Sequence, residues 1–135
     1  MDNAVLHKIK TIENALKRIQ DVYADAPNLL EDYTKLDSII MNIQRTCEAS
    51  IDLSMYLVRA NKLGIPKSRR DGFRFLKEAH LIDVSLVISL INMIEFCRVA
   101  IHDDQAIDLN NLRKIVDHQL EDFLTFTRKV IQLED

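Results

Sequence analysis

The chain has 135 residues, a formal net charge of −3, and only two Gly and two Pro. That length fits a single domain spanning 1–135, and the scarcity of turn-forming residues excludes an all-β sandwich or barrel. No Gly-rich strand-to-helix turn is present to cradle nucleotide phosphates, and the acidic balance means that any contact with nucleic acid must be local.

Apolar residues at Val5, Ile9, Ile12, Leu16, Ile19 and Tyr23 follow steps of three and four, which predicts a first helix over Asn3 to Ala24. Pro27 stops it, and a turn leads through a short stretch with Leu29, Leu30 and Tyr33. A second long helix is predicted from about Leu36 to Lys62, with Leu36, Ile40, Ile43, Cys47, Ile51, Met55 and Val58 facing inward and Gly64 and Pro66 ending it. Ser68-Arg69-Arg70-Asp71 pairs a serine with an aspartate three residues on, the start signal for a short helix carrying Phe73, Leu76 and Ala79.

From Asp83 to Ile101 the apolar residues wrap nearly the whole circumference, so this helix needs cover on every side. Ser85, Ser89, Asn92, Glu95 and Arg98 interrupt the run, which argues against a membrane span. One bundle of this size covers only part of such a helix, and a homodimer is the expected source of the rest. A last helix is predicted from about Leu109 to Leu133, with Leu112, Val116, Leu120, Phe123, Val130 and Ile131 inside. The fold class is therefore all-α: an antiparallel helical bundle of about four long helices and one short, dimerising.

Cys47 and Cys97 are far apart, without a C-x-x-C and with no secretory leader ahead of Asn3, so they read as free thiols of a cytoplasmic protein. Neither lies near a Gly-rich elbow or a base that would make it a nucleophile. His7, His80 and His118 read as surface or structural histidines, His80 near a helix end where a cation is favourable.

His102 differs, because Arg98 lies one helical turn before it on an otherwise apolar helix and shares its face. A histidine titrating near neutrality and a phosphate-holding arginine are what metal-free RNA cleavage requires. The same two residues also suit an ordinary helix C-terminus, complementing its dipole and pairing with Asp103 or Asp104. Spacing alone leaves both readings open. A metal site from His102, Asp103, Asp104 and His118 is disfavoured, since consecutive residues rarely converge on one ion.

Three blocks carry a resemblance over most of the chain: Gln44-Arg45 with Glu48-Ala49-Ser50-Ile51-Asp52-Leu53, then Leu63-Gly64-Ile65-Pro66-Lys67-Ser68-Arg69-Arg70-Asp71, then Met93-Ile94-Glu95-Phe96 through Val99-Ala100-Ile101-His102-Asp103. In order and spacing they resemble HepT-like proteins of the HEPN family. The resemblance implies a helical HEPN domain whose two copies line one cleft with Arg98 and His102 and cleave RNA, tRNA or mRNA, with no metal and no cofactor. It also implies an antitoxin partner, a nucleotidyltransferase of the MNT type, which silences such toxins by transferring AMP to a tyrosine beside the motif histidine.

Two positions depart from the family pattern. Aligned on His102, the usual arginine position holds Cys97 and the usual asparagine position holds Arg98, a shift of about 100° around the helix. The usual tyrosine position holds Asp104, which offers no phenolic oxygen. Three functions therefore compete: a ribonuclease toxin, a catalytically degenerate module that binds its nucleotidyltransferase, and an RNA-binding adaptor using the basic residues Arg59, Lys62, Lys67, Arg69, Arg70 and Arg74.

Overall fold

Val5, Ile9, Ile12, Leu16 and Ile19 are all buried along one side of α1 (Asn3–Ala24), and Ala15 joins them. The structure, a computed structural model, describes residues 2–24, 32–102 and 107–134, with the backbone alone at 101 and 102. The predicted turn at Pro27 and the Leu29–Leu30 stretch lie outside the described residues. Helix α2 (Tyr33–Ala60) starts three residues before the predicted Leu36, because the Asp32 carboxylate caps it by accepting the Lys35 backbone N–H at 3.1 Å.

The C-terminal end of α2 is closed by the backbone. Lys62 takes a φ of 54°, and the N–H groups of Lys62 and Leu63 donate back to the carbonyls of Arg59 and Val58 at 3.2 and 3.0 Å. The predicted stop at Gly64 therefore comes two residues late. Gly64 itself has a φ of 146°, and a Cβ there would lie 3.2 Å from the Phe75 ring. Helix α3 (Asp71–Glu78) begins where the aspartate of the serine–aspartate pair turns back, its carboxylate accepting the N–H of Lys67 at 2.8 Å and of Ser68 at 3.2 Å. The Lys67 bond chiefly, aided by the Arg74 charge and the Ser68 bond, holds the Asp71 carboxyl below its usual range. That lowering means the stabilisation is complete above the ordinary carboxylate pKa and is lost as pH falls through the lowered one.

His80 closes α3 in the same way, with a φ of 59° and with its own N–H and that of Leu81 each bonding a carbonyl, Lys77 and Leu76, at 2.9 Å. Its backbone rather than a cationic ring makes the cap. A left-handed conformation is costly for a residue with a Cβ, so His80→Gly is expected to raise the unfolding free energy by about 1 kcal/mol. A urea midpoint that falls would show that the exposed imidazole makes a contact worth more than the strain.

Helix α4 (Val84–His102) matches its prediction within a residue. The last predicted helix is instead divided: α5 (Leu109–Lys114), a π turn over Ile115–Gln119, and α6 (Glu121–Glu134). The Leu120 N–H reaches back five residues to the Ile115 carbonyl at 3.1 Å. This wider turn keeps Leu112, Ile115 and Val116 buried on one side of the bulge and Leu120, Phe123 and Phe126 on the other.

α2 is the centre of the domain, packing on α1, α3, α4 and α6. Its inner faces carry small polar residues, Asn42, Thr46, Ser50 and Ser54, all buried. Three of them bond carbonyls of their own helix: Asn42 to Ser38 and Thr46 to Asn42, each at 2.8 Å, and Ser54 to Ile51 at 2.7 Å. Small side chains let neighbours approach closely; at Gly72 a Cβ would sit 2.4 Å from the Ser54 hydroxyl oxygen. α4 buries Leu86, Val87, Leu90, Met93, Phe96, Cys97 and Ala100 but leaves Val84, Ile88 and Val99 exposed. Among the described residues no helix is long and apolar enough to cross a membrane.

Candidate active site

α2, the Ser68–Arg70 link and α4 enclose a cleft of about 340 Å³. Gln44, Cys47, Glu48 and Ile51 form one wall, and Ile94, Glu95, Cys97 and Arg98 the other. The π turn is not part of it. The cleft lies beside the last turns of α4, so the helix that ends in His102 also supplies its rim.

Arg98 projects from that rim, with 62% of its side chain exposed, and its Nε donates to Glu95 Oε2 at 3.1 Å. The other Glu95 oxygen accepts from Arg70 Nη1 at 2.6 Å, so one carboxylate sits between two guanidinium groups that are 28 residues apart in sequence. Across the cleft Arg69 pairs with Glu48. Ion pairs this exposed contribute at most about 1 kcal/mol each, so an incoming phosphate can compete for the same guanidinium groups. His102 is the last residue of α4, one turn beyond Arg98; its side chain, Asp103 and Asp104 lie outside what the structure describes.

Three arginines of the predicted basic cluster are paired with carboxylates. Arg69 and Arg70 have the carboxylate partners just given, and Arg74 pairs with Asp71 and Glu78 at 3.5 and 3.3 Å while its guanidinium lies 4.8 Å from the centre of the Phe75 ring. His7 and His118 are exposed, as the sequence reading held. Sequence reasoning missed Glu48 and Glu95 as partners of the cleft arginines, and it missed the meeting of Cys47 with Cys97. Both thiols are buried, with their sulfurs 3.2 Å apart. The only sequence signal for that meeting was that each cysteine lies within an inward-facing apolar stripe.

Comparisons with known proteins bear on this geometry. The family described as Ribonuclease HepT-like matches residues 12–130. The mRNA nuclease HepT of Shewanella oneidensis is 41% identical over 126 residues, which cover 93% of this chain and 95% of that protein. Among solved structures, a tri-AMPylated Shewanella oneidensis HEPN toxin in complex with its MNT antitoxin is 41% identical and superposes with a TM-score of 0.92 over 98% of this chain and 99% of that one. A toxin–antitoxin structure with AMP-PNP gives 40% identity and a TM-score of 0.93, covering 96% of this chain and 99% of that chain.

Proposed function

The chain belongs to the Ribonuclease HepT-like family, and from that premise we propose that it is the RNA-cleaving toxin of a toxin–antitoxin pair, two copies of which bring Arg98 and His102 to one cleft. The observation that carries this reading is the solvent-facing Arg98 at the cleft rim, one helical turn before His102. Val84, Ile88 and Val99 are apolar side chains left exposed on the same helix, and a second copy laid against α4 would cover them and double the number of Arg and His side chains.

In such a cleft the RNA supplies its own nucleophile. One imidazole takes the 2′-OH proton, the 2′ oxygen attacks the adjacent phosphorus, and the second imidazole protonates the departing 5′ oxygen. Arg98 holds the non-bridging oxygens as charge builds on them. Neither step requires a metal ion.

The toxin's antitoxin would be an MNT-type nucleotidyltransferase, the kind of partner with which the Shewanella toxin was solved. Asp104 presents a carboxylate where the family offers a phenol for AMP transfer, so silencing here works through binding rather than through a stable adduct at that residue.

A second reading, a degenerate module that only binds its nucleotidyltransferase, draws support from Cys97. At the family's arginine position this side chain is buried against Cys47, and the nearby Arg98 is engaged by Glu95. Incubating the purified chain with mRNA in EDTA separates the two. Fragments ending in 2′,3′-cyclic phosphate are expected from the toxin. Intact RNA together with a stable complex on co-expression with the nucleotidyltransferase would replace it with the degenerate reading.

A further inference from the structure

We propose that Cys47 and Cys97 are a modification site, a dithiol that hydrogen peroxide converts to a reversible disulfide joining α2 to α4 at the floor of the cleft. The two sulfurs, from residues 50 apart in sequence, lie 3.2 Å from each other. A disulfide requires them to come only about 1 Å closer. Both side chains are nearly closed off from bulk solvent, yet both line the cleft, which gives a small peroxide a route to them. Among the described residues no third His, Cys, Asp or Glu joins them to make a metal site.

The chemistry balances with the peroxide as sole oxidant. The Cys97 thiolate attacks the O–O bond, forming an S–O bond and expelling water once the second oxygen gains a proton. The Cys47 sulfur then attacks the Cys97 sulfenic sulfur, the S–S bond forms, and a second water leaves. Two thiols lose two electrons and two protons, and the peroxide takes them up. The hydrogen bond with Cys97, reinforced by burial, pushes the Cys47 thiol well above its usual pKa, which fits it to the resolving role rather than to the first attack.

This site does not depend on nuclease activity. The test exposes the folded, reduced full chain to hydrogen peroxide with a chelator present, alkylates the remaining thiols and maps peptides by mass spectrometry. A peptide pair linked through Cys47 and Cys97 within one chain is expected, released by dithiothreitol. The oxidised chain should melt about 5–10 °C higher, because the cross-link closes a long loop in the unfolded state. In Cys47→Ala the Cys97 sulfenic acid should persist long enough to be trapped by dimedone; if that variant does not fold, the mapping of the unaltered chain decides. Two cysteines that still alkylate after peroxide, oxidation to sulfinic acid without a link, or a link only between chains would each overturn the proposal.

Discussion

His102→Ala should slow RNA cleavage by about 10²–10⁴-fold, the usual contribution of a positioned general acid or base. The residue is the last of α4, and alanine is well tolerated in a helix. The melting temperature and the far-ultraviolet circular dichroism should therefore stay close to those of the parent chain. In the parent, rate against pH should be bell-shaped, since one imidazole must be neutral and the other protonated. Arg98→Ala should cost about 10²–10³-fold through lost stabilisation of the charged transition state, and Arg98→Lys should recover only part, because an ammonium lacks the planar fork. Unchanged cleavage in His102→Ala would assign the observed activity to other residues or to a contaminant.

Phe73→Ala is expected to remove about 3–5 kcal/mol of stability, a large share of the roughly 5–15 kcal/mol that holds a domain together. Phe73 is fully buried and meets Phe126 edge-on, with ring centres 5.5 Å apart and planes at 61°. It anchors the first turn of α3 against α6, while the adjacent Gly72 lets that turn approach Ser54 and Met55 of α2. Urea unfolding should show a lower midpoint with an unchanged m-value. Phe126→Ala should cost a similar amount, and the double variant should reveal a coupling of about 0.5–1.5 kcal/mol. A loss below 1 kcal/mol for Phe73→Ala would mean that α6 repacks over the gap.

Much of the fold was legible in the sequence because its strongest signals are local. The three- and four-residue steps in α1 and the dense apolar run in α4 put both helices within a residue of their observed ends. The α2 start was not visible, because Asp32 caps a turn whose next residue, Tyr33, is 73% exposed and carries no pattern. The π turn was hidden as well, since Ile115-Val116-Asp117-His118-Gln119 contains neither Gly nor Pro and reads as ordinary helix. Hydropathy also says little about which helix is central. α4 looks the more buried, yet α2 is the one enclosed by four neighbours, and Thr46 and Ser54 conceal this by returning their hydrogen bonds to their own backbone.

The site divides along the same line. That Arg98 and His102 share a face follows from a four-residue step. The pairing of Glu95 with Arg70, and of Cys47 with Cys97, depends on how helices distant in sequence are docked, which periodicity does not encode.

The placement of α6 has a genetic consequence. Phe123, Phe126 and Val130 form the last wall of the core and lie within the final fifteen residues. A stop codon or frameshift anywhere before residue 121 thus removes three fully buried side chains together and leaves α2 bare along one flank. Late truncations of the gene should behave as complete losses of the domain rather than as trimmed versions of it.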